Sequence, residues 1–140
     1  MRIHHIGYLV RNIEKAQAVF LDLGYTLQSP PCFDDYRGVT ISFLKNDVHC
    51  IELVEPNRND SVAMGLLKRY RNSPYHICYI TTDLKNKVAS LRQQGFMPLG
   101  PSAPAVAIQD QNVIFLVHPH IGIIELIEYE QFHNSGQINP

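Results

Sequence analysis

The chain has 140 residues, 45% of them hydrophobic and 18% charged, enough apolar material to bury the core of one domain and too much for a disordered or fibrous chain. Twelve Lys and Arg against thirteen Asp and Glu leave a net charge of -1, so no positive field draws the protein to nucleic acid or an anionic membrane, and a small molecule or another protein is the expected partner. No apolar run approaches a membrane span, the opening MRIHHIGYLV lacks the long apolar core of a signal peptide, and Cys32, Cys50 and Cys78 show no C-x-x-C spacing, which together imply a reduced, cytoplasmic setting.

In chain order, residues 3–10 read as a strand ending at Asn12, a side chain suited to capping the helix beyond it. Ile13, Ala16, Phe20 and Leu23 recur at helical spacing, and Gly24 supplies the stop. Val39, Ile41 and Phe43 alternate with Thr40 and Ser42 as a half-buried strand, and CIELVE at 50–55 closes the segment as another. Ser61 is placed to cap a short helix with Val62, Leu66 and Tyr70 on its apolar side and Lys68, Arg69 and Arg71 near its end. A second strand–helix pair then begins at 75–81, with Asp83 as cap, Leu84, Val88 and Leu91 as the apolar face, and Gly95 as the stop. PLGPSAPA at 98–105 reads as an irregular loop, and 113–117 and 121–128 as deeply buried strands.

These elements repeat. Sliding the chain by 71 residues sets HIGYLVRNIEKAQAVFLDLGY from His5 over HICYITTDLKNKVASLRQQGF from His76, and small changes of offset set ISFL at 41–44 over VIFL at 113–116 and CIELVE over IIELIE at 123–128. The expected fold is therefore α+β, built from two β-α-β-β-β modules at about 1–57 and 74–130, joined by a helical linker at 60–71 and ending in a frayed tail at 131–140.

The repeat singles out a histidine in each first strand and a glutamate in each last strand: His5 with Glu52, and His76 with Glu125. Side chains alternate across a strand, so both glutamates have apolar neighbours on either face, and a carboxylate there costs roughly several kcal/mol unless a cation or several donors compensate it. Two imidazoles and two carboxylates converging from equivalent strands suit a divalent transition metal such as zinc, nickel, cobalt or manganese. His4 faces away from His5, and His49, His118, His120 and His133 have no repeated counterpart; His118 and His120 read as a polar turn. No serine-hydrolase elbow, phosphate loop or dinucleotide fingerprint is present.

The segments HHIGYLVRNIEKA, IELVEP, YHICYITTDL and HPHIGIIELIE resemble the vicinal oxygen chelate superfamily over nearly the whole chain, and within it are most similar to the methylmalonyl-CoA epimerases, which share the NDSVAMGLL-type helix start and the VIFLVHP-type strand. The resemblance implies a curved mixed sheet around a metal cleft, with His5, Glu52, His76 and Glu125 as the ligands. It further implies proton abstraction next to a carbonyl through a metal-stabilised enolate, in a protein expected to form a homodimer. Glu125 is the expected base. The epimerases carry a glutamate where this chain has Tyr36, so Tyr36, or an aspartate of the Asp34–Asp35 pair, is expected as the second group. Arg37, Lys68, Arg69 and Arg71 are candidate contacts for acyl-CoA phosphates. A glyoxalase-type lyase acting on a glutathione hemithioacetal and a non-catalytic ligand-sequestering protein remain the alternatives.

Overall fold

The computed structural model describes residues 1–129, so His133 and the tail expected to fray lie outside the described residues. Two compact units are distinguished: His5–Tyr75, and His76 onward together with Met1–His4.

In the first unit, β1 (Arg2–Leu9), which belongs to it from His5 onward, leads to α1 (Ile13–Asp22), two short strands β2 (Thr26–Leu27) and β3 (Cys32–Asp34), the long pair β4 (Val39–Asn46) and β5 (His49–Pro56), and α2 (Val62–Tyr70). The strand order is β2-β4-β5-β1, with β3 also pairing β4; β1 runs parallel to β5 and the other pairs are antiparallel. Asn12 caps α1 by accepting from the Lys15 N–H at 2.9 Å, and Gly24 ends it at φ +99°, a conformation glycine adopts without Cβ strain. The helix lays Ile13, Ala16 and Phe20 on Leu44, Ile51 and Leu53, and Phe20 sits edge-on between Tyr8 and Tyr25. Burying a leucine such as Leu44 or Leu53 contributes about 2 kcal/mol. This packing assigns the faces. Tyr8, Leu44, Ile51 and Leu53 lie under the helix, so His5, Gly7, Phe43 and Glu52 point to the other side of the sheet.

The second unit repeats the plan with β6 (Ser73–Thr81), which belongs to it from His76 onward, α3 (Leu84–Gln93), β7 (Met97–Pro98), β8 (Ala103–Ala105), a 3₁₀ turn (Val106–Ile108), β9 (Gln111–His118) and β10 (Gly122–Glu128). Its strand order is β6-β10-β9-β7, with β8 on β9 and β6 parallel to β10. Asp83 caps α3 through the Asn86 N–H at 3.0 Å, and Glu128 accepts from the Leu84 N–H at 2.9 Å, a second carboxylate at the positive end of the helix dipole. Leu84, Val88 and Leu91 pack on Tyr79, Ile114, Leu116, Ile124 and Leu126, which turns His76, Phe115 and Glu125 to the opposite face.

Four local expectations need correction. Leu23 is 64% exposed, because α1 has ended and Tyr25 takes the packing position instead. Ser42 is fully buried, its hydroxyl bonded to Gln17 Oε1 at 3.3 Å, so β4 is covered on both faces there. In α2 the buried pair is Ala63 and Leu67, while Val62 and Tyr70 point outward. The proline-rich loop holds β8, where Pro104 is tolerated on a short strand whose neighbours Ala103 and Ala105 are buried.

Candidate functional site

The sheet register fixes where each proposed ligand stands. In the first unit Gly7 is the partner of Glu52 across β1–β5, and Phe43 is its partner across β4–β5. His5 Nε2 lies 3.5 Å from Glu52 Oε2, and the two side chains are 0% and 5% exposed. In the second unit Phe115 is the partner of Glu125 across β9–β10, and His76 Nε2 lies 2.9 Å from Glu125 Oε2, with side chains 0% and 3% exposed. The structure thus brings His5 to Glu52 and His76 to Glu125, as the repeat implied.

The donor set fits a divalent transition metal. Two ligand atoms at bonding distance from such an ion stand about 3.0 Å apart at a right angle and about 3.4 Å apart at the tetrahedral angle. The separations within the two pairs, 2.9 and 3.5 Å, match that range. Imidazole nitrogen with carboxylate oxygen also selects for zinc, nickel, cobalt or manganese over the oxygen-loving alkaline-earth ions. Cys50 lies on the same face of β5 as Glu52, and burial pushes its thiol up to about 12 against the lowering effect of Lys45.

Sequence reasoning missed the phenylalanine in each pair. Phe43 meets the His5 ring edge-on at 5.3 Å between centroids, and Phe115 meets His76 in the same way at 5.2 Å. The signal was present in the overlay of ISFL on VIFL, which already paired them. The aromatic walls limit how the imidazoles can turn and keep the pairs in apolar surroundings, as the shell around a metal site must.

The remaining candidates lie in other settings. Asp34 is buried and accepts from the Arg37 backbone N–H at 3.1 Å and from Arg37 Nη1 at 2.8 Å, so the guanidinium is engaged with a carboxylate. Asp35 and Tyr36 stand exposed in the turn after β3, Asp35 ion-paired with Arg58 at 3.2 Å. Gly38 closes this turn at φ +64°, a conformation that favours glycine; a Cβ there would stand 2.7 Å from Arg58 Nε, at the end of a side chain that can move aside. Lys68, Arg69 and Arg71 are exposed at the end of α2. Of the other histidines, His4 contacts the Tyr129 ring at 6.3 Å, and His118 accepts from the His120 N–H at 3.2 Å and lies 3.1 Å from the Gln94 carbonyl, a polar turn. No helix among the described residues is long and apolar enough to cross a membrane.

Comparison with known proteins bears on the whole arrangement. Over 132 residues the chain is 31% identical to an ethylmalonyl-CoA/methylmalonyl-CoA epimerase of Cereibacter sphaeroides, covering 93% of this chain and 97% of that protein. A hypothetical protein of Bacillus halodurans superposes with a TM-score of 0.81 at 21% identity, covering 96% of this chain and 98% of its own. The methylmalonyl-CoA epimerase of Mycobacterium tuberculosis superposes with a TM-score of 0.77 at 23% identity, over 90% of this chain and 86% of the other. These likenesses show the α+β glyoxalase-type fold. Residues 4–115 match the profile of the glyoxalase/bleomycin resistance protein/dioxygenase superfamily, and the chain belongs to it.

Proposed function

We propose that this chain is a metal-dependent epimerase that inverts the carbon between the carboxylate and the thioester carbonyl of a methylmalonyl-type acyl-CoA. The observation that carries the reading is the repeated pair: a buried imidazole against a buried carboxylate at equivalent register positions in both halves. The similarity to an ethylmalonyl-CoA/methylmalonyl-CoA epimerase along nearly the full length of both chains supports an epimerase-like activity.

In this reading His5, Glu52, His76 and Glu125 together hold one divalent cation, which when bound stabilises the negative charge that develops on a carbonyl oxygen as the neighbouring proton leaves. Glu125 takes that proton on a carboxylate oxygen, its apolar strand neighbours Ile124 and Leu126 keeping water from one side of the backbone that carries it. Inversion requires return of a proton to the opposite face of the carbon. Tyr36 or Asp35, both carried by the exposed turn after β3, supplies that second group.

The test is direct. Purified protein is analysed for bound metal and, after loading with cobalt, nickel, zinc or manganese, is given one stereoisomer of methylmalonyl-CoA. Conversion to the other isomer, abolished by chelation and restored by metal, is the expected result. Absence of any metal uptake defeats the metal reading, and product formed from methylglyoxal and glutathione instead would move the assignment to a glyoxalase-type lyase.

A further inference from the structure

On the sheet face that carries the proposed ligands the two repeats match at the phenylalanine, histidine and glutamate and part at one ladder pair. Leu44 lies under α1, so Lys45, like Phe43, points to the face of His5 and Glu52. Lys45 pairs with Cys50 across β4–β5, and the pair at the equivalent place in the second repeat is Val117 with Ile123 across β9–β10. An ammonium and a thiol thus stand in one repeat where two aliphatic side chains stand in the other. A bound ion asks the same of both halves, whereas a substrate with unlike ends does not. Lys45 is no edge residue either: β2 pairs with it on its other side through Thr26, whose hydroxyl donates to the Lys45 carbonyl at 3.4 Å. The side chain is half-buried, its charge acts on the Cys50 thiol, and it has no carboxylate partner among the described residues. A cation drawn partly out of water without a counter-charge is unfavourable, and an anion arriving from outside the chain offsets that cost.

We propose that Lys45 is a specificity-determining residue that pairs with the free carboxylate of a malonyl-type acyl group. This rests on the epimerase reading above and adds to it the side chain that separates a carboxylated acyl group from a plain one. A site that offers a half-buried cation to a carboxylate discriminates against the analogue that lacks it, because the cation is then left without its partner. Val117 offers no such pairing, so the seat belongs to the first repeat alone.

The probes are malonyl-CoA and acetyl-CoA, which differ by that carboxylate alone, and their binding to the full-length, metal-loaded protein is measured by titration calorimetry. Lys45→Met keeps the length and the apolar stem but removes the charge. It is expected to weaken malonyl-CoA binding by about tenfold or more, the worth of a charge-assisted contact, and to leave acetyl-CoA binding unchanged. The unchanged acetyl-CoA affinity also reports that the variant is folded. Lys45→Arg is expected to retain most of the preference, and Lys15→Met, on the helix that covers the opposite face of the sheet, to retain all of it. In turnover of methylmalonyl-CoA the loss in Lys45→Met is expected mainly in KM. Equal malonyl-CoA affinity in wild type and Lys45→Met, or parallel losses for both thioesters, would overturn the proposal. If malonyl-CoA binding depends on Lys45 but methylmalonyl-CoA is not epimerised, the epimerase reading fails and the role of Lys45 stands. If instead wild type and Lys45→Met epimerise methylmalonyl-CoA with equal KM, the role of Lys45 fails and the epimerase reading stands.

Discussion

Phe115 faces Glu125 across the β9–β10 ladder and sets its ring edge-on against His76 at 5.2 Å, and Phe43 bears the same relation to Glu52 and to His5 at 5.3 Å. A strand position that serves one partner on the ladder and another in space is under two constraints, and both repeats meet them with the same side chain. Replacing Phe115 with leucine keeps an apolar group but removes the flat edge that limits rotation of the imidazole. Metal affinity is expected to fall by about tenfold or more, the range seen when groups around metal ligands are altered. Competition against a chelator of known affinity measures this, and an unchanged affinity would show that the ring contributes packing alone.

Metal binding should register as stability. An ion present at about one hundred times its Kd adds roughly 2.7 kcal/mol if it binds only the folded chain, a rise in the thermal midpoint on the order of 10 °C for a domain of this size. His5→Ala should abolish the rise and His4→Ala should retain it, because His4 is held against Tyr129. Equal shifts in the two variants would place the ion elsewhere.

The Asp34–Arg37 pair makes a prediction about stability that is independent of any ligand. Arg37→Ala leaves the 3%-exposed Asp34 without the guanidinium that compensates it, and removing one partner of a buried pair costs about 3 kcal/mol or more. The neighbouring Asp35→Asn breaks only an exposed contact with Arg58 and should change stability by less than about 1 kcal/mol. Urea unfolding of the two variants decides the matter, and a difference of zero would mean that the turn is held by its backbone alone.

Tyr129 gives a pH signature. Burial, and after it the nearby Cys78, pushes its phenol above the usual 10.0, so the folded chain disfavours the phenolate. The stabilisation is complete below the unfolded value and is lost as pH rises through the folded one, because the unfolded chain releases the proton first. Stability measured from pH 8 to 11 should therefore decline more steeply in wild type than in Tyr129→Phe. Parallel profiles would remove Tyr129 as the cause.

The repeat was legible in the sequence because the same physical task is done twice: Asn12 and Asp83 cap, Gly24 and Gly95 stop, and His5 and His76 recur with Glu52 and Glu125. What escaped was set by packing rather than pattern. The apolar residues of α2 offered two plausible faces, and only contact with the sheet chose Ala63 and Leu67 over Val62 and Tyr70. Asp34 and Asp35 are identical in sequence terms. The strand places one inward against Arg37 and the turn leaves the other in solvent. Arg71 carries no sign in its residue type of its backbone conformation at φ +61°, since glycine is what that conformation would ordinarily require.

The central claim is that a metal held by the two His–Glu pairs enables Glu125 to remove a proton next to a thioester carbonyl. Its most direct test is the exchange of that proton with solvent, monitored by proton NMR on methylmalonyl-CoA in deuterium oxide with metal-loaded protein. The account predicts loss of the α-proton signal in wild type and in His4→Ala, and none after chelation or in Glu125→Gln. Exchange that persists in Glu125→Gln or in metal-free protein would contradict it.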